Sequence, residues 1–214
     1  MSRIIPAILV KDEGEFRRQV SIAAAFAKLV QIDVLDGTLF PERSFSDANA
    51  IAAMHLSLSF EAHLMVNEPE KRVRDWIRAG ASRIIIHAEA AGNLGLALEQ
   101  IRHADRRAGL ALNPETGLAI LEEFAPFIDH IQLMGVHPGG QGRTYDEETA
   151  SRVRAVKTAL PHLTVAVDGG VTDAQNLARI LAAAGANDLV VGSAIWRAND
   201  PSRAYREIAA DARV

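Results

Sequence analysis

From end to end the chain alternates between two hydrophobic patterns. Short runs of β-branched and aliphatic residues end in polar or glycine-rich turns, and each is followed by a stretch whose apolar residues recur at helical spacing. The short runs predict strands over Arg3–Leu9, Lys28–Val34, Leu58–Val66, Arg83–His87, Leu110–Asn113, His130–Met134, Leu163–Val167 and Asp188–Val191. The stretches between and after them predict helices over Asp12–Ala27, Asp47–His55, Glu68–Ala79, Asn93–Ala108, Gly117–Phe127, Asp146–Leu160, Asp173–Ala184 and Pro201–Ala210. Arg83-Ile84-Ile85-Ile86-His87 is apolar on both faces, as a strand buried on both sides must be. Eight strand–helix pairs in 214 residues leave no room for a second domain, so residues 1–214 read as one closed (β/α)₈, or TIM, barrel. The competing arrangement, an open doubly wound sheet, is unusual for eight evenly spaced parallel strands.

Local signals mark the element ends. Ala79-Gly80, Ala108-Gly109 and Ala184-Gly185 are each expected to close a helix, with glycine in the left-handed position just past it. Thr172-Asp173-Ala174-Gln175 reads as a capping box, and Asp200-Pro201 as an N-cap followed by proline at the first helical position. The Asp146-Glu147-Glu148 run suits a solvated helix start.

Composition narrows the class. A hydrophobic fraction of 49% supplies a large core, and a net charge of −4 lacks the basic face that nucleic acid or an anionic membrane requires. With no cysteine there are neither disulfides nor thiolate metal sites. No apolar run approaches the roughly 20 residues of a membrane span, and Ile4–Val10 is too short for a secretion signal. A cytoplasmic, metabolite-handling protein is expected.

In a barrel the working residues stand at the C-terminal ends of the strands. Strand 2 ends Gln31-Ile32-Asp33-Val34-Leu35-Asp36-Gly37, and its alternation points Gln31 and Asp33 the same way. Strand 3 carries His63-Leu64-Met65-Val66, strand 4 ends His87-Ala88-Glu89, and strand 5 ends Asn113-Pro114. Met134 and a loop containing His137, Gly139, Gly140, Gln141 and Gly142 follow strand 6. Strands 7 and 8 end Asp168-Gly169-Gly170 and Gly192-Ser193, where barrels often present backbone N–H groups to a phosphate. Two carboxylates from different strands can act as base and acid on opposite faces of a stereocentre.

These residues carry a resemblance. Pro6-x-Ile8-Leu9, Ile32-Asp33-Val34-x-Asp36-Gly37, His63-Leu64-Met65-Val66, His87-Ala88-Glu89-Ala90, Ala111-Leu112-Asn113-Pro114, Val167-Asp168-Gly169-Gly170 and Gly192-Ser193-Ala194-Ile195 occur in the order, and at the strand ends, of the ribulose-phosphate 3-epimerases. The chain thus resembles that family over nearly its whole length. The resemblance implies a barrel of the ribulose-phosphate-binding type that interconverts ribulose 5-phosphate and xylulose 5-phosphate in carbohydrate metabolism. It implies Asp33 and Asp168 as the acid/base pair, and a divalent metal held by both aspartates, by His63 and by a histidine two residues before Asp33. It also implies a sugar-phosphate ligand at Gly139, Gly140, Gly142, Gly169, Gly170, Gly192 and Ser193, and assembly as dimers or hexamers, while Met65 and Met134 read as core or site-wall fillers.

The departures are specific. Gln31 stands where the family has the metal-binding histidine, Ala7 and Val10 where it has serines, and Leu35 where it has methionine. An amide oxygen is a harder, weaker donor than imidazole, which shifts the expected metal from zinc or iron toward manganese or magnesium. Gln31 is read either as the fourth ligand or as a packed amide, and His137 as a solvated loop residue or a substitute ligand. Asp33 and Asp168 are alternatively loop-capping carboxylates, His63 a core histidine, and the glycines turn residues only. A hexulose-phosphate 3-epimerase, a related lyase of the phosphate-binding barrels or a non-catalytic sugar-phosphate binder stands beside the pentulose-phosphate epimerase. Such lyases carry a lysine beside an aspartate, whereas Lys11 and Lys28 lie after strand 1 and at a strand start.

Overall fold

In the computed structural model, which describes residues 2–138, 145–172 and 176–213, the chain forms a closed barrel. Strands β1 (Arg3–Ile8), β2 (Leu29–Leu35), β3 (Ser59–Met65), β4 (Arg83–His87), β5 (Arg107–Leu112), β6 (His130–Met134), β7 (Thr164–Asp168) and β8 (Asp188–Val191) pair in sequence order, all parallel. β8 returns to β1, with Arg3 opposite Asp188 and Pro6 opposite Val191. The helices outside are α1 (Glu13–Ala23), α2 (Ala48–Ala53), α3 (Val73–Ala79), α4 (Leu94–His103), α5 (Leu121–Phe124), α6 (Thr149–Ala159), α7 (Leu177–Ala184), α8 (Ser193–Trp196) and α9 (Pro201–Asp211). No helix among the described residues is long and apolar enough to cross a membrane.

The expected cap at Asp200 holds α9, and three further helices are capped in the same way. Asp12, Asp47, Asn93 and Asp200 each accept a backbone N–H of the first turn. Gly80 and Gly185 end α3 and α7 with φ of 95° and 104°. Gly109 corrects the sequence reading. It lies inside β5 opposite Ile85, and α4 already stops at His103, with Asp105 taking the left-handed turn at φ 54°. A Cβ on Gly109 would stand 2.9 Å from Cγ1 of Ile85, so close packing inside the barrel, and not a helix end, calls for glycine there. Asp173–Gln175 of the proposed capping box lie outside the described residues.

The main apolar core lies between strands and helices, where even-numbered residues of β1–β5 such as Ile32, Leu64, Ile84 and Ile86, and odd-numbered residues of β6–β8 such as Leu133, Val165 and Leu189, join Phe16, Trp76 and Leu98. The barrel interior is different. Ile5, Ala7 and Val190 form a small apolar plug there, and polar residues fill space on either side of it. At the N-terminal end, the buried Arg83 donates from Nε to Glu61 Oε2 at 2.9 Å, from Nη2 to Asp188 Oδ2 at 3.0 Å, and from Nη1 to His130 Nδ1 at 3.0 Å. Arg3 grips the other side of Asp188 through two hydrogen bonds of 3.0 and 2.8 Å. Burial, together with the charges of Arg83 and Arg3, keeps His130 neutral by pushing its pKa well down. Burial lifts the Glu61 carboxyl to about 7 against the pull of Arg83.

Removing Arg83 leaves a buried carboxylate without its partner. Arg83→Leu is expected to destabilise the barrel by roughly 3–5 kcal/mol near pH 8. Because the folded state raises the Glu61 pKa, its protonated form is the one the fold favours, and that advantage fades as pH rises from about 4.5 through about 7. Near pH 5 Glu61 therefore takes up a proton in the variant and the loss shrinks. Urea denaturation at both pH values tests this, and an equal loss at both would contradict it.

Candidate active site

Alternation along each strand decides which side chains enter the barrel. β2 sends in Gln31 and Asp33, and β3 sends in His63, the register partner of Asp33. β6 contributes Gln132 and Met134, and β7 contributes Asp168, the register partner of Met134. Asp33, His63, Gln31, Gln132 and Asp168 are all buried, and they converge on one point below the C-terminal rim.

His63 Nδ1 lies 3.2 Å from Asp33 Oδ1 and 3.3 Å from Asp168 Oδ2. Nε2 of Gln31 donates to the same two oxygens at 2.8 and 2.7 Å. Nε2 of Gln132 donates to Asp168 Oδ2 at 2.8 Å and lies 3.2 Å from His63 Nδ1. Burial raises the Asp33 pKa, and the nearby Asp168 charge adds to that rise while His63 and Gln31 oppose it. For His63 burial acts downward, but the hydrogen bonds and charges of Asp168 and Asp33 override it and raise the pKa to about 9. The two carboxylates thus demand a positive charge between them.

On its other side His63 stacks on His87, with ring centroids 5.0 Å apart and Nε2 atoms 2.9 Å apart. Burial lowers the His87 pKa to about 4. Glu89 Oε2 sits 2.9 Å from His87 Nδ1, and its other oxygen accepts the backbone N–H of Asn113. Glu89 therefore orients His87, and His87 orients His63.

Above this group is a cavity of about 240 Å³. Asp33, His63 and Asp168 form its floor, Met65 and Met134 are on its walls, and Gly169, Gly170, Gly192 and Ser193 stand at its rim. Gly139, Gly140 and Gly142 lie outside the described residues. Gly169 has φ of 91°, and a Cβ there would be 2.5 Å from Cγ2 of Val136. At Gly192 the nearest atom to an added Cβ is the Cβ of Ala7, at 3.8 Å. The first glycine is fixed by backbone and packing, whereas the second borders open cavity. His137 is half-exposed, 3.3 Å from Glu115 and edge-on to the Phe40 ring at 5.9 Å, and is not among the residues that line the cavity.

Sequence reasoning missed Gln132, Tyr145 and the roles of His87 and Glu89. Gln132 had left a signal, as a lone polar residue in Ile131-Gln132-Leu133-Met134. Tyr145 lines the cavity and abuts Gly170, and nothing in its local sequence marks it.

Among the described residues Asp33, His63 and Asp168 are the one group able to hold a metal ion, with ligating atoms within 4.8 Å of one another. Two carboxylates and an imidazole suit a divalent cation. The buried Oε1 atoms of Gln31 and Gln132, which have no hydrogen-bond donor, add two harder donors close by. These residues fit a metal.

A closed parallel barrel with two carboxylates and a histidine converging under its C-terminal rim has the form of a barrel enzyme built for proton transfer. Residues 3–196 match the model of the ribulose-phosphate 3 epimerase family. Ribulose-phosphate 3-epimerase of Chlamydia muridarum is 37% identical over 205 residues, covering 91% of this chain and 88% of its own length. The Bacillus subtilis enzyme of that name is 30% identical, over 97% of this chain and 98% of its own. The chain belongs to the ribulose-phosphate 3-epimerase family and is an isomerase acting on carbohydrates. A solved 3-hexulose-6-phosphate synthase shares the fold with a TM-score of 0.73 at 18% identity, covering 98% of this chain and 99% of that one.

The two rim glycines should separate in stability. Gly169→Ala meets both a positive φ and Val136, and is expected to cost about 1–3 kcal/mol. Gly192→Ala should melt within a degree or so of the parent. Thermal melts compare the two, and equal melting temperatures would refute the distinction.

Proposed function

We propose that this chain interconverts D-ribulose 5-phosphate and D-xylulose 5-phosphate, with Asp33 and Asp168 as the proton carriers. The observation that carries the reading is their placement: oxygens from β2 and β7 approach one centre from two sides, on the floor of a cavity whose rim carries Gly169, Gly170, Gly192 and Ser193. One carboxylate takes the proton from the carbon beside the carbonyl, and the electron pair moves to the carbonyl oxygen to give an enediolate. The other carboxyl returns a proton to the opposite face, which inverts that carbon. Burial raises the proton affinity of Asp33, the direction that a proton carrier needs. Asp33, His63 and Asp168, with Gln31, would hold a divalent metal, which when bound supplies positive charge for the oxyanion.

Backbone N–H groups at the rim would hold the substrate phosphate, with Gly192 leaving the room it needs. The relatives named ribulose-phosphate 3-epimerase support this substrate. No lysine among the described residues lines the cavity, and Lys28 lies at the opposite end of the barrel beside Arg3 and Glu61, which counts against lyase chemistry. A cytoplasmic place in pentose phosphate metabolism follows from the same reading.

Asp33→Asn and Asp168→Asn are each expected to lower kcat by about 10²- to 10⁴-fold. Each should also lose deuterium exchange from solvent into one epimer only, one variant into ribulose 5-phosphate and the other into xylulose 5-phosphate. Near-parental exchange into both epimers in both variants would rule the pair out. Gly192→Val should raise KM for the phosphorylated sugar, and equal turnover of free ribulose and ribulose 5-phosphate would contradict the phosphate assignment. Gln31→His should convert weak metal retention into stoichiometric zinc or iron that survives chelation, as measured by metal analysis. Tight zinc in the parent, unchanged by the substitution, would overturn that expectation.

A further inference from the structure

Five donor positions meet at the site floor, and their mutual distances form a pattern. Nδ1 of His63 lies 3.2 Å from Asp33 Oδ1, 3.3 Å from Asp168 Oδ2, 3.3 Å from Gln31 Nε2 and 3.2 Å from Gln132 Nε2. Around it, Gln31 is 2.8 Å from Asp33 and 2.7 Å from Asp168, and Gln132 is 2.8 Å from Asp168. These are seven of the eight edges of a square pyramid, with His63 at the apex and the other four at the base. The pairs that would face each other across the base, Gln31 with Gln132 and Asp33 with Asp168, make no hydrogen bond. An ion with six-fold coordination and bonds of about 2.0–2.2 Å separates adjacent donors by that length times √2, or about 2.8–3.1 Å. The observed edges of 2.7–3.3 Å straddle that value.

The two amides present nitrogen at these positions, but a half-turn exchanges Oε1 with Nε2. Both Oε1 atoms are buried with no donor, so the acceptors around Nε2, chiefly the carboxylates, hold each amide in its present sense. A cation between the carboxylates reverses that preference and draws the oxygens in.

We infer that Gln132, on β6, is a fifth metal ligand, which with Gln31, Asp33, His63 and Asp168 leaves one coordination position of six open. This rests on the reading that the site holds a divalent metal. Gln132 accordingly replaces bound solvent: a site without it keeps an additional water.

Protein stripped with chelator and reloaded with Mn²⁺ alone tests this. Free Mn²⁺ is followed by electron paramagnetic resonance, and bound waters are counted by water-proton relaxation. The parent is expected to bind one Mn²⁺ with one exchangeable water. Gln132→Ala should bind Mn²⁺ about 10- to 100-fold more weakly and carry one water more. Gln132→Glu keeps an oxygen at the same reach and should retain the parental count, with circular dichroism showing that each variant is folded. Unchanged affinity and water count in Gln132→Ala, or an extra water in Gln132→Glu, would remove Gln132 from the ligand set while leaving the metal reading intact. A parent that binds no Mn²⁺, Zn²⁺ or Mg²⁺ would overturn the metal reading and this inference together.

Discussion

The barrel interior admits almost no water, and every second strand residue must point into it. A polar side chain placed there has to find its partners among the other strands. Two clusters obey this rule in different ways. At the N-terminal end, Arg83 reaches Glu61, His130 and Asp188, and two arginines balance two carboxylates. At the other end, Asp33 and Asp168 face one histidine and two neutral amides, and the charge is left unbalanced. The first arrangement is complete within the protein. The second is complete only with a proton on His63 or a cation in its place, and that incompleteness is what makes it chemically useful.

The rim repeats this division between shaping and space. Gly135 and Gly169 let one loop pass over another, since a Cβ on Gly135 would lie 2.5 Å from the carbonyl oxygen of Gly169. Gly170 gives way to the Tyr145 ring in the same manner. Gly192 is crowded by nothing, so its missing side chain serves the cavity and not the fold. Glycines that look alike in the sequence therefore divide into those the backbone needs and those a ligand needs.

Much of this was legible in the chain itself. Alternation along Gln31-Ile32-Asp33 puts two polar groups on one face, and strand-end placement singled out His63 and Asp168. What stayed hidden depends on closure. Gln132 resembles a stray polar residue until β6 is brought across the barrel from β2, and Glu61, Arg83, His130 and Asp188 come from four strands with no local pattern linking them. Gly109 misled because Ala108-Gly109 has the form of a helix end, whereas the packing of Ile85 against it is a long-range fact. Periodicity reports which face is buried, but not what lies on the other side.

The seam between β1 and β8 bears on how the molecule is made. Arg3 and Asp188 stand 185 positions apart, and the Arg3 amide donates to the carbonyl of Asn187. At roughly 5–20 residues per second of synthesis, the first strand waits about 10–40 s on the ribosome before its partner emerges. Throughout that interval one edge of β1 is unpaired and able to bind the wrong strand. The exposed guanidinium of Arg3 sits on that edge, a charge of the kind that discourages such pairing. The same side chain that later clasps Asp188 can thus guard the nascent chain until the barrel closes.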